Sequence, residues 1–243
     1  MAVRRRYGEI VEKERVMGIK LERDEFHRWF GGGLPKSSIC VIEGVEGGGK
    51  TIISQRLAYG LLENNYTVTY VSTELTIRDF IFQMASMNYN IVDYLLKKKL
   101  IFVSTLPLFA ETKIDKNAMD RFFGKKDLFK TDVIIIDAIN DQIIGEKNRE
   151  NYARFVHLLK HITALKKTVI ITVDPESVDN DFILALKSVS EIYIKLELHA
   201  SESTIKRVMN ITRFKAPLMQ TGSKTSFRVE PKVGLVLEIT SVA

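Results

Sequence analysis

The sequence predicts an α/β fold: a mainly parallel sheet flanked by helices, extended on its C-terminal side by antiparallel strands. Three observations predict it. From residue 39 onward, short β-branched runs alternate with helical patterns, the order that builds βαβ units. Several of those runs are apolar at nearly every position, as strands are when helices cover both faces of a sheet. After residue 190 the helical patterns stop and strand follows strand, which calls for hairpin connections.

The predicted parallel strands are 39–42, 67–72, 100–103, 133–136 and 169–173, each β-rich and short enough to cross a sheet once. Helices are expected at 50–63, 77–87, 91–98, 148–165 and roughly 181–187. In the longest, Tyr152, Phe155, Val156, Leu159 and Ile162 recur at helical spacing, so one face packs inward. The C-terminal strands are 191–198, 205–212, 225–229 and 235–239. No internal repeat interrupts this order, and the chain reads as one domain, 1–243, with 1–20 as a basic N-terminal extension.

Apolar residues make up 45% and charged residues 27%, enough apolar side chains for a sizeable core. The single cysteine, Cys40, lies inside an apolar run, so it is expected in the core, and a reducing cytosol is the expected compartment. No apolar stretch approaches the roughly 18 to 20 residues of a membrane span, and the N-terminus lacks the apolar core of a signal peptide. A peripheral place at the membrane, through partners, is the expectation. The net charge of +6 is spread over small clusters at 4–6, 97–99, 125–126 and 166–167. Each reads as a solvated helix end or turn, or as a contact for an acidic membrane, nucleic acid or protein.

The chemistry concentrates at Gly44-Val45-Glu46-Gly47-Gly48-Gly49-Lys50-Thr51, followed by Ile52. Glycine, four residues, then Gly-Lys-Thr is the P-loop pattern, and here a predicted strand precedes it and a predicted helix follows. Glycines let backbone N–H groups curl around phosphate oxygens, and the helix points its positive end at the same anion. Lys50 is expected to reach the β- and γ-phosphates of ATP, and the Thr51 hydroxyl to ligate Mg²⁺. About 85 residues later, the run 133–136 ends in Asp137, the form of the strand whose aspartate helps hold that magnesium ion. Glu74 follows the strand 67–72. In an open parallel sheet that end faces the ligand crevice, so Glu74 is a candidate to orient the attacking water, with a helix-cap role as its competitor. Thr172 and Asp174 end the strand 169–173 on the same edge and are candidate γ-phosphate sensors.

With these residues placed, the sequence resembles the RecA superfamily and its KaiC-like branch. The resemblance is carried by 30–39, which leads into the P-loop strand, by 70–74 around Glu74, and by Thr212-Arg213-Phe214-Lys215. It covers roughly residues 20–240 and implies a RecA-like fold. It also implies that Arg213 and Lys215 act on a neighbouring subunit's nucleotide, in a ring of identical subunits. Within the branch, a short single domain of this pattern is similar to the ATP-binding accessory proteins of the archaellum (archaeal flagellum) motor. That likeness implies motor proteins at the cytoplasmic membrane face as partners.

Three departures bear on turnover. Where relatives often carry a second acid after the catalytic glutamate, this chain has Leu75; after the strand aspartate it has Ala138 instead of serine; and recombinases carry a glutamine where it has Thr172 and Asp174. The expected function is therefore ATP and magnesium binding that gates assembly, with slow or no hydrolysis. A turnover ATPase driving work itself is the alternative. A DNA-binding recombinase is disfavoured, because the loop 174–181 carries four acids, Asp174, Glu176, Asp179 and Asp181, and no base to meet phosphates.

Overall fold

A computed structural model describes residues 15–106, 124, 129–200, 205–215 and 217–238. The basic clusters at 4–6 and 125–126, and Ile239 of the last predicted strand, lie outside them. A nine-stranded sheet organises the chain, in the order β11-β10-β9-β8-β3-β7-β6-β4-β5. Its parallel part consists of β3 (Ile39–Gly44), β4 (Val68–Ser72), β5 (Leu100–Ser104), β6 (Val133–Ile139), β7 (Thr168–Val173) and β8 (Ile192–Ala200). The antiparallel part adds β9 (Ile205–Phe214), β10 (Lys224–Glu230) and β11 (Gly234–Glu238) beyond β8. The predicted architecture is the observed one.

Strand alternation divides the core into two layers. On one side, Cys40, Ile42, Val68, Tyr70, Ile135 and Ile170 pack against α2 (Lys50–Glu63) and α3 (Ile77–Ser86). On the other, Ile39, Val41, Ile134, Ile136 and Ile171 pack against α6 (Arg149–Ala164) and α7 (Asn180–Val189). Asn148 caps α6, its side chain accepting from Asn151 N, which fixes the boundary the sequence pattern suggested. Between these helices lie α4 (Val92–Leu96) and the single turn α5 (Asp141–Ile144).

The sequence pattern missed the segment before β3, where β1 (Val16–Met17), α1 (Phe26–Trp29) and β2 (Leu34–Pro35) are too short to show a period. Val16, Met17 and Ile19 are buried, so this part of the basic N-terminal stretch packs on the core. Arg56 of α2 fastens it. Its guanidinium is fully buried, meets Asp24 through two hydrogen bonds of 2.6 and 2.7 Å, donates to Ile19 O, and lies over the Phe26 ring. A buried bidentate pair of this kind fixes the lead-in against the helix that follows the P-loop.

Candidate functional site

Beyond the C-terminal ends of β3, β4, β6 and β7 lies a cleft of about 870 Å³. Its floor is the loop between β3 and α2. Gly49 caps α2 at φ 97°, a conformation open to glycine, and a Cβ there would stand 2.7 Å from the Phe227 ring of β10. Gly44 has an equally close neighbour, Leu196 of β8. The P-loop glycines therefore also let the C-terminal strands approach the loop.

Val45, Glu46, Gly47, Gly49, Lys50, Thr51 and Ile52 line the cleft together with Glu74, while Gly48 N closes the loop onto Val45 O at 3.1 Å. Lys50 Nζ donates to Gly44 O at 2.7 Å and Val45 O at 3.0 Å, and pairs with Asp174 Oδ2 at 3.1 Å. Asp174 thus acts as the counter-ion of Lys50, which explains why burying an ammonium at 11% exposure is tolerated.

Asp137, at 3% exposure, is held by a hydroxyl on each oxygen: Thr172 donates to Oδ1 at 2.6 Å and Tyr70 to Oδ2 at 2.7 Å, and Ser54 joins Tyr70 at 2.8 Å. Burial raises the Asp137 pKa above the usual aspartate range, while the hydroxyls of Thr172, Tyr70 and Thr51 and the Lys50 charge oppose the shift. The Tyr70 hydroxyl is itself pushed far up by burial and by the Asp137 charge, so it remains a donor. Ala138 supplies no side-chain hydrogen bond, but its backbone N and O both meet the Thr73 hydroxyl, at 3.1 and 2.9 Å. Thr172 and Tyr70 thus supply the carboxylate with donors that the Ala138 side chain cannot.

Glu74 faces the cleft mouth. It is not the helix cap: Thr76 takes that place, its hydroxyl accepting from Asp79 N. Ser72 Oγ accepts from the backbone of both Glu74 and Leu75, fixing the turn, and Leu75 packs on the core. Protein atoms around the mouth withhold part of the hydration of the exposed Glu74 carboxylate. That desolvation, then the negative charge of Asp137, raises its pKa, and Lys50 works against both.

The C-terminal strands bring in groups that the motifs did not indicate. Arg207 of β9 donates from Nε to Gly47 O at 2.9 Å, and Arg228 and Val229 of β10 complete the wall. Arg228 is turned toward Glu230 (2.6 Å) and Glu238 (3.3 Å). One residue before the P-loop, buried Glu43 accepts from the Tyr193 hydroxyl and lies 3.4 Å from Lys187 Nζ. The only sequence sign of Arg207 was a basic residue in an alternating strand, which does not say at which end of the sheet it emerges.

Arg213 and Lys215 lie elsewhere. Arg213 pairs in register with Tyr193, which in turn pairs with Val41, three residues before Gly44. At about 3.3 Å per residue, that is about 10 Å back along the sheet from the P-loop. Arg213 Nη1 donates to Lys187 O and Ser190 O at the end of α7, and Lys215, just past the end of β9, lies 3.5 Å from Glu191 Oε1. Neither residue lines the cleft.

The residues present suit a phosphate chain and a hard cation. Backbone N–H groups, Lys50, Arg207 and a helix N-terminus supply positive potential for phosphates, and the Thr51 hydroxyl and Asp137 offer oxygens for magnesium. Among the described residues no three His, Cys, Asp or Glu side chains cluster to hold a metal. A cation here would take most of its ligands from phosphates and water.

The profile of the family described as "ATPase: KaiC" matches residues 19–233. A relative from Methanocaldococcus jannaschii, the archaeal flagellar ATP-binding protein FlaH, is 37% identical over 93% of this chain and 97% of its own length. This chain belongs to the FlaH group of KaiC-like ATPases. The FlaH protein of Methanococcus voltae is 31% identical over 93% of this chain and 98% of its own. Among solved structures, the flagellar accessory protein FlaH from M. jannaschii superposes with a TM-score of 0.86, at 36% identity and covering 93% of this chain and all of that one (100%). A KaiC-like protein from Pyrococcus horikoshii shares the fold, with a TM-score of 0.71 at 21% identity over 92% of this chain and 99% of its own. The RecA-like α/β fold that FlaH and KaiC-like proteins share is the fold of this chain.

Proposed function

We propose that this chain is an ATP- and magnesium-binding accessory protein of an archaellum motor, in which bound nucleotide sets assembly and hydrolysis is slow or absent. The observation that carries the reading is the composition of the cleft. A complete phosphate-binding set, Gly44 to Thr51 with Arg207, faces a single carboxylate on the loop after β4, Glu74, while Leu75 turns into the core. In this reading the chain is a single nucleotide-binding domain, cytoplasmic, and near the membrane through its motor partners. Thr51 and Asp137 would hold a magnesium ion, which would supply positive charge to offset the charge of the phosphates. Lys50 exchanges Asp174 and the loop carbonyls for phosphate oxygens.

Arg213 and Lys215 are proposed to reach a neighbouring subunit's nucleotide, since neither lines the cleft of its own chain. Head-to-tail contacts of that kind close into rings when the rotation permits. Linkage then requires ATP to promote assembly if the assembled state binds it more tightly. Light scattering with ATP, ADP and no nucleotide tests the reading. ATP with Mg²⁺ is expected to shift the protein toward oligomers more than ADP does, and Arg213→Ala with Lys215→Ala to reduce the shift while single-subunit ATP binding persists. Equal assembly in all three conditions refutes the gate. The second reading, a turnover ATPase, draws on the raised Glu74 pKa, which suits a general base. Purified protein that turns over ATP rapidly without partners would favour it.

A further inference from the structure

Large exposed apolar side chains gather on α3 and α4: Ile77, Phe82, Val92 and Leu96, with Phe82 63% and Leu96 77% exposed. On α3, Ile77, Ile81 and Ala85 stand four residues apart beside the buried Phe80 and Met84, and Phe82 points away from the core. On α4, Val92 and Leu96 have the same spacing, and none of its residues is buried. A shallow groove of about 240 Å³, lined by Ile81, Ala85, Tyr89, Ile91 and Val92, joins the two helices, and Phe82 and Leu96 are exposed on the same two helices.

Positive charge borders that face. Lys97, Lys98 and Lys99 follow Leu96 directly, Arg78 lays its guanidinium over the Phe82 ring at 5.6 Å, and Lys232 donates its backbone N–H to Ser86 O at the end of α3. The basic residues Arg78, Lys97, Lys98, Lys99 and Lys232 outnumber the nearby acids Asp79, Asp93 and Glu63, which keep their charge. Asp79 accepts from the Thr76 hydroxyl, Asp93 lies 3.6 Å from Lys97, and Glu63 accepts from Tyr94. No helix of the described residues is long and apolar enough to cross a membrane, so these residues can meet a bilayer only from its surface.

We propose that the α3–α4 face docks on an anionic lipid bilayer, with Phe82, Val92 and Leu96 entering the headgroup–acyl boundary and Arg78 and Lys97 to Lys99 meeting the headgroups. The apolar tips protrude instead of forming a deep seat, and lysines with long stems flank them. That combination suits a soft anionic surface better than the recessed pocket in which a folded partner anchors a side chain.

Flotation of the full-length protein with vesicles of phosphatidylcholine, with and without phosphatidylglycerol, tests this. Binding is expected only with the anionic lipid, and should weaken as salt screens the lysines. Removing three basic charges through Lys97→Gln, Lys98→Asn and Lys99→Gln predicts roughly a hundredfold lower partition coefficient. Asn is chosen at 98 because that residue has φ 55°, which Asn tolerates. Phe82→Ser with Leu96→Ser should lower binding by roughly tenfold or more. Both sets change exposed or half-buried side chains outside the cleft, so retained ATP binding reports intact folding. Equal binding to neutral vesicles, no binding at all, or variants that float like the parent overturn the proposal. So does a parent oligomer that the serine variant dissociates while no protein floats, which would make the face a self-interface.

Discussion

The hydroxyl of Thr172 offers a sharp test of how Asp137 is held. Thr172→Val keeps the branched shape that suits a buried parallel strand and removes the 2.6 Å hydrogen bond to Oδ1. Tyr70 still serves Oδ2, but Oδ1 of a carboxylate at 3% exposure loses that donor. A hydrogen bond to a charged group contributes about 1.5–3 kcal/mol, and one between neutral groups about 1 kcal/mol. The loss should therefore depend on pH. Because burial raises the Asp137 pKa, the folded state binds the proton more tightly than the unfolded state. Stability consequently falls as pH rises from the ordinary aspartate pKa through the raised one. Thr172 normally opposes that fall by stabilising the ionised form. The variant should thus resemble the parent most at acid pH, where Asp137 is protonated, and diverge as the carboxyl ionises. For a chain of this size, 1.5–3 kcal/mol corresponds to roughly 4 to 10 °C in Tm above the raised pKa. Thermal unfolding followed by circular dichroism over a pH series, from acid pH upward until the difference between variant and parent levels off, measures both limits. An equal shift at both, or none at the higher, refutes the view that Thr172 supports the ionised carboxylate.

Three further outcomes follow from the same cleft. Lys50→Ala should weaken ATP binding by about 2 to 3 kcal/mol in calorimetry, through loss of a charge-assisted contact; parent-like affinity would mean that phosphate does not bind on this loop. Asp137→Ala should leave ATP affinity much less responsive to Mg²⁺, and an unchanged magnesium titration would remove Asp137 from the metal site. If the protein hydrolyses ATP, Glu74→Gln should slow it roughly 10²-fold or more. The parent rate should then climb with pH through a pKa above the ordinary glutamate range, since the base form is the active one and desolvation and the Asp137 charge raise that pKa; a flat profile or an unaltered variant rate assigns Glu74 to structure alone.

The P-loop was legible because its parts are consecutive. Eight residues from Gly44 to Thr51 set their own local geometry, and a strand and a helix on either side are enough to aim it. Asp137 and Glu74 were legible for a related reason: Asp137 follows the apolar run of β6, Glu74 lies two residues past β4, and the C-terminal parts of parallel strands share one edge. The short pieces β1, α1 and β2 were not, since two or four residues show no period.

What tertiary structure alone decided is which distant side chains meet that edge. Thr172 and Asp174 were seen from the sequence only as neighbours of the crevice. The pairing of β6 with β7 makes one the donor to Asp137, and the closeness of Asp174 to Lys50 makes the other a counter-ion. Arg207 and Arg213 lie six residues apart in one strand, with the same sequence character. The antiparallel register of β8 with β9 sends Arg207 to the P-loop and Arg213 to the end of α7. Local chemistry is written in adjacent residues, whereas the register of a hairpin and the order of strands are collective properties of the whole packed sheet, and they fixed the rest of this site.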